Sequence, residues 1–384
     1  MRPLLFFAIA FLIFFSFTWL TVRQLIRLHP RRKGWILAIA VAGNLMWPFF
    51  PWLRAMTPIS RVVRATLGPL WFGWTSFALL YSVFLLLVLL AWIPFARKHA
   101  FAQFARWPSR VFLITLGIGF VVGVYQALVP LRVERVPVRI AELPASAEGT
   151  KIALLTDLHV GLFTRRSRLQ RIFAETNAAR PDAVLIAGDM IDDDPHFVPK
   201  LLAGTSALSP EIPLYGVLGN HEIYGDPPAV IEGLKGSRMR LLVNEGTPLR
   251  DLWIAGASDR AASQQPQTQH LAPDLAKALQ GKPPSSMAIA LSHQPTIIAD
   301  ARRLGVPLAL AGHSHGGQLG FRPLRWSLAG VFLPYHMGLY DVAPTQLYVS
   351  TGTGYWLLPF RLGMTPEITI LELTAGTAGS AGWQ

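Results

Sequence analysis

Four stretches without a single charged residue, 3–22, 34–53, 65–96 and 111–131, crowd into the first 139 residues. A helix needs about 20 apolar residues to cross the hydrocarbon core of a bilayer. All four stretches meet that length, the third with residues to spare. The segments between them are basic: Arg23, Arg27, Arg31, Arg32 and Lys33, then Arg54, Arg61 and Arg64, then Arg97, Lys98, Arg106 and Arg110. Eight of the 12 tryptophans also fall here, several near span ends, where an aromatic belt would place them. The first stretch could instead be a cleaved signal. No small-residue cleavage site follows it, and three more spans do, so a retained helix is expected. No span carries an acid or a histidine in its middle, which argues against a transport or proton path. The expectation is a membrane anchor of about four helices over residues 1–139, in contact with the lipid bilayer of a cell membrane.

The charge divides with the hydropathy. Residues 1–139 hold 16 Lys and Arg and one acid, Glu134; residues 140–384 hold 19 and 21. The net charge of +13 therefore belongs to the apolar part, where it suits loops beside anionic lipid. The slightly acidic remainder would repel a polyanion, so no nucleic-acid partner is expected. With no cysteine, disulfides, thiolate zinc sites and a cysteine nucleophile are excluded. The first and third loops carry nine basic residues against seven on the other side, which leans the domain after the last span towards the outside of the cytoplasm.

Past Pro144 the texture changes. Short apolar runs at 151–156, 183–187, 214–218, 252–255, 287–291 and 306–310 alternate with helical stretches such as 165–179, and late strands are expected at 347–350 and 367–373. This is an α/β pattern. Residues 261–281 read as a surface loop with a short helix. The tail, 374–384, is rich in Gly, Ala and Ser and is expected to be flexible.

Five of these runs are followed at once by Asp, Asn or His. The residues are Asp157 and His159, Asp189, Asn220, His293, and the pair His313 and His315. Ligand-binding groups of α/β sheets collect at the carboxyl ends of strands. Taken singly, Asp157 could cap a helix, Asp189 and Asn220 could serve turns, and His159 or His293 could be structural. His313 and His315 are harder to dismiss, because Gly312, Gly316 and Gly317 let the chain turn both rings to one point. Jointly, carboxylate and imidazole donors suit two divalent ions such as manganese, iron or zinc, manganese foremost.

The motifs Asp157-Leu158-His159, Gly188-Asp189-Met190-Ile191-Asp192, Gly219-Asn220-His221-Glu222, His293 and Gly312-His313-Ser314-His315 resemble the calcineurin-like metallophosphoesterase superfamily. The resemblance covers about residues 150–373. Asn244-Glu245, Gly338-Leu339-Tyr340, Tyr348-Val349-Ser350 and Pro366-Glu367-Ile368-Thr369 look like its bacterial membrane-associated branch. Thr351 departs from that branch, which often has an arginine there. The resemblance implies a four-layer α-β-β-α sandwich over 140–373. It implies that Asp157, His159 and His315 bind one metal, that Asn220, His293 and His313 bind a second, and that Asp189 bridges them. His221 would be general acid to the leaving oxygen, and Glu222 would support the ligands from behind. Asp192 reads equally as the partner of His221 and as one carboxylate in a solvated run with Asp193 and Asp194. The implied chemistry is hydrolysis of a phosphate ester by a hydroxide held between two metal ions. An anchored enzyme of this kind suits a lipid-linked phosphodiester or pyrophosphate. A non-catalytic scaffold on the same fold is the alternative, although none of the seven ligands is missing. Oligomeric state is not legible. Four spans and the loop charges lead to one expectation: a topology reporter fused after Gln384 is active outside the cytoplasm, and activity inside would reverse the orientation.

Overall fold

The computed structural model describes residues 2–54 and 58–376, without the side chains of 2–12, 46–54, 58–62, 64 and 65. The flexible tail expected from the sequence lies, apart from its first residues, outside the described residues. The chain divides into two compact units, Met1–Val121 and Val122–Gln384.

The first unit is helical: α1 (Arg2–Leu28), α2 (Lys33–Arg54), α3 (Pro58–Trp92) and α4 (Arg106–Leu128), whose residues 122–128 belong to the second unit. Long runs of Leu, Phe, Ala and Val with few breakers favour helix throughout. Hydroxyl groups join α1 to α3: Thr21 Oγ1 donates to Ala78 O at 3.1 Å and Ser82 Oγ to Phe17 O at 2.6 Å. Such bonds are the usual glue between apolar helices. Large apolar side chains, among them Leu87, Leu90, Ile114 and Ile118, face outward. Among the described residues, Thr66–Phe95 and Phe101–Leu128 are long and apolar enough to cross a membrane. The first two expected spans fall on α1 and α2, where many side chains lie outside the described residues.

The second unit is an α/β sandwich. Its strands are β1 (Arg132–Ile140), β2 (Lys151–Leu155), β3 (Ala183–Ala187), β4 (Leu214–Val217), β5 (Met239–Leu241), β6 (Glu245–Leu249), β7 (Leu252–Gly256), β8 (Met287–Leu291), β9 (Leu308–Ala311), β10 (Gly338–Val342), β11 (Thr345–Val349) and β12 (Glu367–Ala375). They form two six-stranded mixed sheets, ordered β1-β12-β2-β3-β4-β5 and β10-β11-β9-β8-β7-β6. Ile152, Leu154, Leu185 and Leu371 of the first sheet meet Ile254, Ile289, Leu308 and Leu310 of the second in a core between them. Helices α5 (Arg166–Ala178), α6 (Val198–Gly204) and α8 (Pro227–Leu234) cover the outer face of the first sheet through Leu169, Phe173, Leu201 and Val230. Helices α9 (Leu275–Ala278) and α10 (Ile298–Arg303) cover the second through Leu275, Ile298 and Ala301. The four layers are those the sequence implied.

Four strands were not expected: β1, β5, β6 and β10. Each lies at a sheet edge, where one side lacks a neighbour and the apolar run is weak. Strand β1 starts at Arg132, within the region expected to be helical up to residue 139. Val136, Val138 and Ile140 are buried and alternate with exposed Pro137 and Arg139, so the basic stretch after the last helix is a strand. It pairs with β12 from Arg132↔Glu367 to Ile140↔Ala375. The helix before it ends at Leu128 rather than 131. Residues 261–281 contain the expected short helix, at Leu275–Ala278, and begin with two buried residues, Ala261 and Ala262.

Strand β1 runs parallel to β12, and β12 antiparallel to β2. The start of β1, and with it the end of α4, therefore lies at the carboxyl ends of β2, β3 and β4. A buried ion cluster closes this end. Arg322 pairs with Glu367 at the start of β12, lies 3.8 Å from Glu134 on β1, and donates to Thr351 Oγ1 at 2.8 Å. Glu367 also accepts from Thr351 N and Ser350 Oγ. Removing one partner of a buried pair leaves the other uncompensated. Arg322→Ala is expected to destabilise the protein by about 3 kcal/mol, read as a lower thermal midpoint; an unchanged midpoint would show that the pair contributes nothing.

Candidate metal centre

Every expected ligand stands just past a strand at this carboxyl end. Asp157 and His159 follow β2, Asp189 follows β3, Asn220 opens α7 (Asn220–Tyr224) after β4, His293 follows β8, and His313 and His315 follow β9. Five of them, Asp157, His159, Asp189, His313 and His315, have φ between 43° and 70°. Left-handed backbone disfavours side chains with a Cβ, and each such residue costs about 1 kcal/mol or more. The strain turns each side chain back over the strand ends. It is held by Asp157 N donating to Gly188 O, His159 N to Asp189 O, and His313 N to the Asp157 carboxylate.

The side chains converge. His315 Nε2 is 3.0 Å from His159 Nε2 and 3.2 Å from Asp157 Oδ1. His293 Nε2 is 3.1 Å from Asn220 Oδ1, 3.1 Å from His313 Nδ1 and 3.1 Å from Asp189 Oδ2. Asp189 Oδ2 also lies 3.5 Å from His159 Nε2, so one carboxylate touches both clusters. Ligand atoms of Asp157, His159 and His315 lie within 4.8 Å of one another, as do those of Asp189, His293 and His313. A third set with the same spacing joins His159, Asp189 and His221.

The donors fit cations. Asp157 Oδ1 is buried with no hydrogen-bond partner. His293 Nδ1 lies 2.8 Å from Ala187 O, so that nitrogen carries a proton. In a neutral ring Nε2 then turns a lone pair towards the oxygens of Asn220 and Asp189, and only a positive charge reconciles the three. The same conflict shows in the protonation of these groups. Burial disfavours charge on His293, but Asp189 outweighs it and holds the ring well above its usual pKa. Burial and the nearby His293 push His313 down to about 3. Burial, His159 and Arg361 hold His315 well below its usual value. Burial opposes ionisation of Asp189, yet His293 and His221 outweigh it and keep the carboxyl well below the ordinary range. Divalent ions would take over the role these protons play, and release them on binding.

His221 sits beside the clusters on α7, its ring edge-on to His159 with centroids 4.6 Å apart. Burial works against its charge, but Asp189, Asp193 and Asp192 raise its pKa to about 10. The pairing differs from the one suggested by the sequence. Asp192 Oδ1 lies 3.6 Å from both His159 Nδ1 and His221 Nδ1, whereas Asp193 Oδ1 comes within 2.7 Å of His221 Nδ1. The reason is local. Gly225, at the end of α7, has no side chain to hold off the Asp193 backbone, whose carbonyl would sit 2.1 Å from a Cβ there.

Glu222 is buried and joins two loops. Its carboxylate accepts from Gly219 N at 2.7 Å, Asp189 N at 3.0 Å and Ile191 N at 3.0 Å. Arg361 escaped sequence reading. It is fully buried, donates to Thr351 O at 2.7 Å, and brings Nη2 to 3.1 Å from His315 Nδ1. A guanidinium thus stands near Thr351 after all, supplied from ten positions further on. The one sequence signal was an arginine inside an apolar loop, Leu357-Leu358-Pro359-Phe360-Arg361-Leu362.

Residues 150–317 match the family model described as calcineurin-like phosphoesterase. The chain is 34% identical over 253 residues to an uncharacterized metallophosphoesterase of Helicobacter pylori, covering 65% of this chain and 66% of that one. It is 34% identical over 282 residues to a transmembrane protein with metallophosphoesterase domain of Bos taurus, covering 70% and 62%. A metallophosphoesterase of Aquifex aeolicus is 28% identical over 67% of this chain and 97% of its own length. The chain thus spans about two thirds or less of the first two relatives. The bovine relative also shows that the likeness reaches beyond the bacterial branch.

Close approach at Gly219 offers a test of the centre's packing. A Cβ there would lie 2.2 Å from Asp189 Oδ1 and 2.3 Å from Asp189 N. Gly219→Ala is expected to lower bound divalent metal, measured by elemental analysis, with circular dichroism unchanged; full metal content would contradict this geometry. Through its second unit, the chain belongs to the calcineurin-like metallophosphoesterases.

Proposed function

We propose that the second unit hydrolyses phosphate esters with two divalent cations, and that the first unit anchors it in a membrane through several spans. The observation that carries the reading is Asp189, whose carboxylate reaches His159 of one cluster and His293 of the other. Asp157, His159 and His315 would hold one cation, Asn220, His293 and His313 the second, and Asp189 both. When bound, the pair supplies a water activated for attack and neutralises the phosphoryl oxygens. Asn220 contributes a neutral oxygen, which keeps the site from becoming too negative for an anionic substrate.

The protein's own part is orientation and proton transfer. His221 carries its proton at neutral pH, held by Asp193 at Nδ1 and by the field of Asp189, and gives it to the leaving oxygen. Asp192 lies between His159 and His221 and steadies both rings. Glu222 fixes the two turns that present Asp189 and Asn220. The surroundings of His221 point to the leaving group. The rings of Tyr224 and Trp356 lie 6.1 and 6.3 Å from it, and Leu162 and Phe163 are exposed beyond His159. An apolar rim beside a polar centre suits a lipid-linked phosphodiester or pyrophosphate. The arrival of α4 at the same end of the strands supports that class.

Purified full-length protein should lose hydrolysis of a generic phosphodiester on chelation and regain it with manganese. His221→Ala should lower kcat by about 10²- to 10⁴-fold with metal content unchanged. Full activity in Asp189→Ala would refute the two-cation reading.

A further inference from the structure

Between His315 and β10 the chain makes an excursion that the hydrolytic site does not use. Gly320 and Phe321 pair with Ser327 and Trp326 in a two-residue ladder, and the strand ends are joined through a left-handed Arg325. From this short hairpin and the turn after it, six large apolar side chains stand out: Phe321, Leu324, Trp326, Leu328, Val331 and Phe332. Leu324 is 76% exposed and Phe332 77%. Six such residues within 12 positions are far denser than the scattered apolar side chains of a water-facing loop. Arg325 is exposed among them. Apolar and tryptophan side chains with an arginine match the composition of segments that lie in the headgroup region of a bilayer.

The base of the excursion is tied to the end of α4. Gly320 N donates to Leu362 O at 2.9 Å, and Leu362 N to Gln318 O at 2.8 Å. On the other side of the same loop, Arg361 N donates to Gly123 O at 2.9 Å and Gly363 N to Gln126 Oε1 at 2.8 Å. A Cβ on Gly123 would meet the Phe360 ring at 2.3 Å, so that loop packs directly on the helix. Arg322, within the excursion, is fixed to Glu134 and Glu367 on the two strands beside that helix end. The excursion therefore springs from the place where α4 enters the second unit, and it has a rigid foundation.

We infer that residues 321–332 dock into the lipid leaflet from which α4 emerges, so that the candidate metal centre, whose His315 lies five residues before Gly320, opens close to the membrane surface. The inference rests on α3 and α4 crossing the membrane. It does not require the hydrolytic reading, since a leaflet-docked loop would remain on a catalytically silent protein.

The absence of cysteine makes any introduced thiol unique. Leu324→Cys, Phe332→Cys, Leu87→Cys on α3 and Asp251→Cys, at the amino ends of the strands opposite the site, are each labelled with an environment-sensitive fluorophore. The full-length protein is reconstituted in phosphatidylcholine and phosphatidylglycerol vesicles, with and without doxyl-labelled lipid. The expected result is quenching at 324 and 332 comparable with that at 87, and little at 251. Quenching at 87 with none at 324 or 332 overturns the docking surface alone. No quenching at 87 overturns the membrane reading and the docking with it. Neither result bears on chelator-sensitive hydrolysis. If Leu324→Cys fails to fold, judged by circular dichroism, the label at 332 decides the question.

Discussion

Seven polar side chains can share one buried point only if the backbone bends back sharply as it leaves each strand. In this protein that bend is made by five residues with a Cβ held in left-handed conformation, Asp157, His159, Asp189, His313 and His315. The strain is borne because the sheets are rigid and because the turns brace one another. Glu222 pins the turn after β3 to the turn after β4, and the Asp157 carboxylate pins the turn after β9. The result is a set of imidazoles and carboxylates too close together to be satisfied by hydrogen bonds among themselves. Buried charge of one sign then calls for charge of the other, which a divalent ion supplies better than a proton.

The central strands were legible because they are buried on both faces and read as unbroken apolar runs. The same runs pointed to the candidate ligands, since a polar residue directly after such a strand stands out. What escaped was whatever depends on approach through space. All four edge strands were missed, β1 because its arginines were counted only as charges beside the last span. Asp193 was passed over for Asp192, because only the packing of the Asp193 backbone on Gly225 brings its carboxylate to His221. Arg361 was invisible because its partners, Thr351 and His315, lie 10 and 46 positions away. Glu222 was placed near the ligands, but its three backbone donors come from two separate turns.

The direction of β1 sets where the last residues of α4 lie in the second unit. Because it runs against β2, the helix that precedes it arrives at the end of the sandwich that carries the ligands. A sandwich with β1 reversed would have put the ligands at the far end from that helix. The loop holding Arg361 then has two roles. Its backbone bonds to α4, and its guanidinium reaches His315. The rings of Tyr224 and Trp356, the end of α4 and the candidate metal centre lie at one end of the second unit.

The central claim is that Asp189 lies between two cations. Crystals of the full-length protein grown with manganese, measured at the manganese absorption edge, test it most directly. The account predicts two anomalous peaks about 3.5–4 Å apart, with the Asp189 carboxylate touching both. No peak, or a single one out of reach of Asp189, would contradict it.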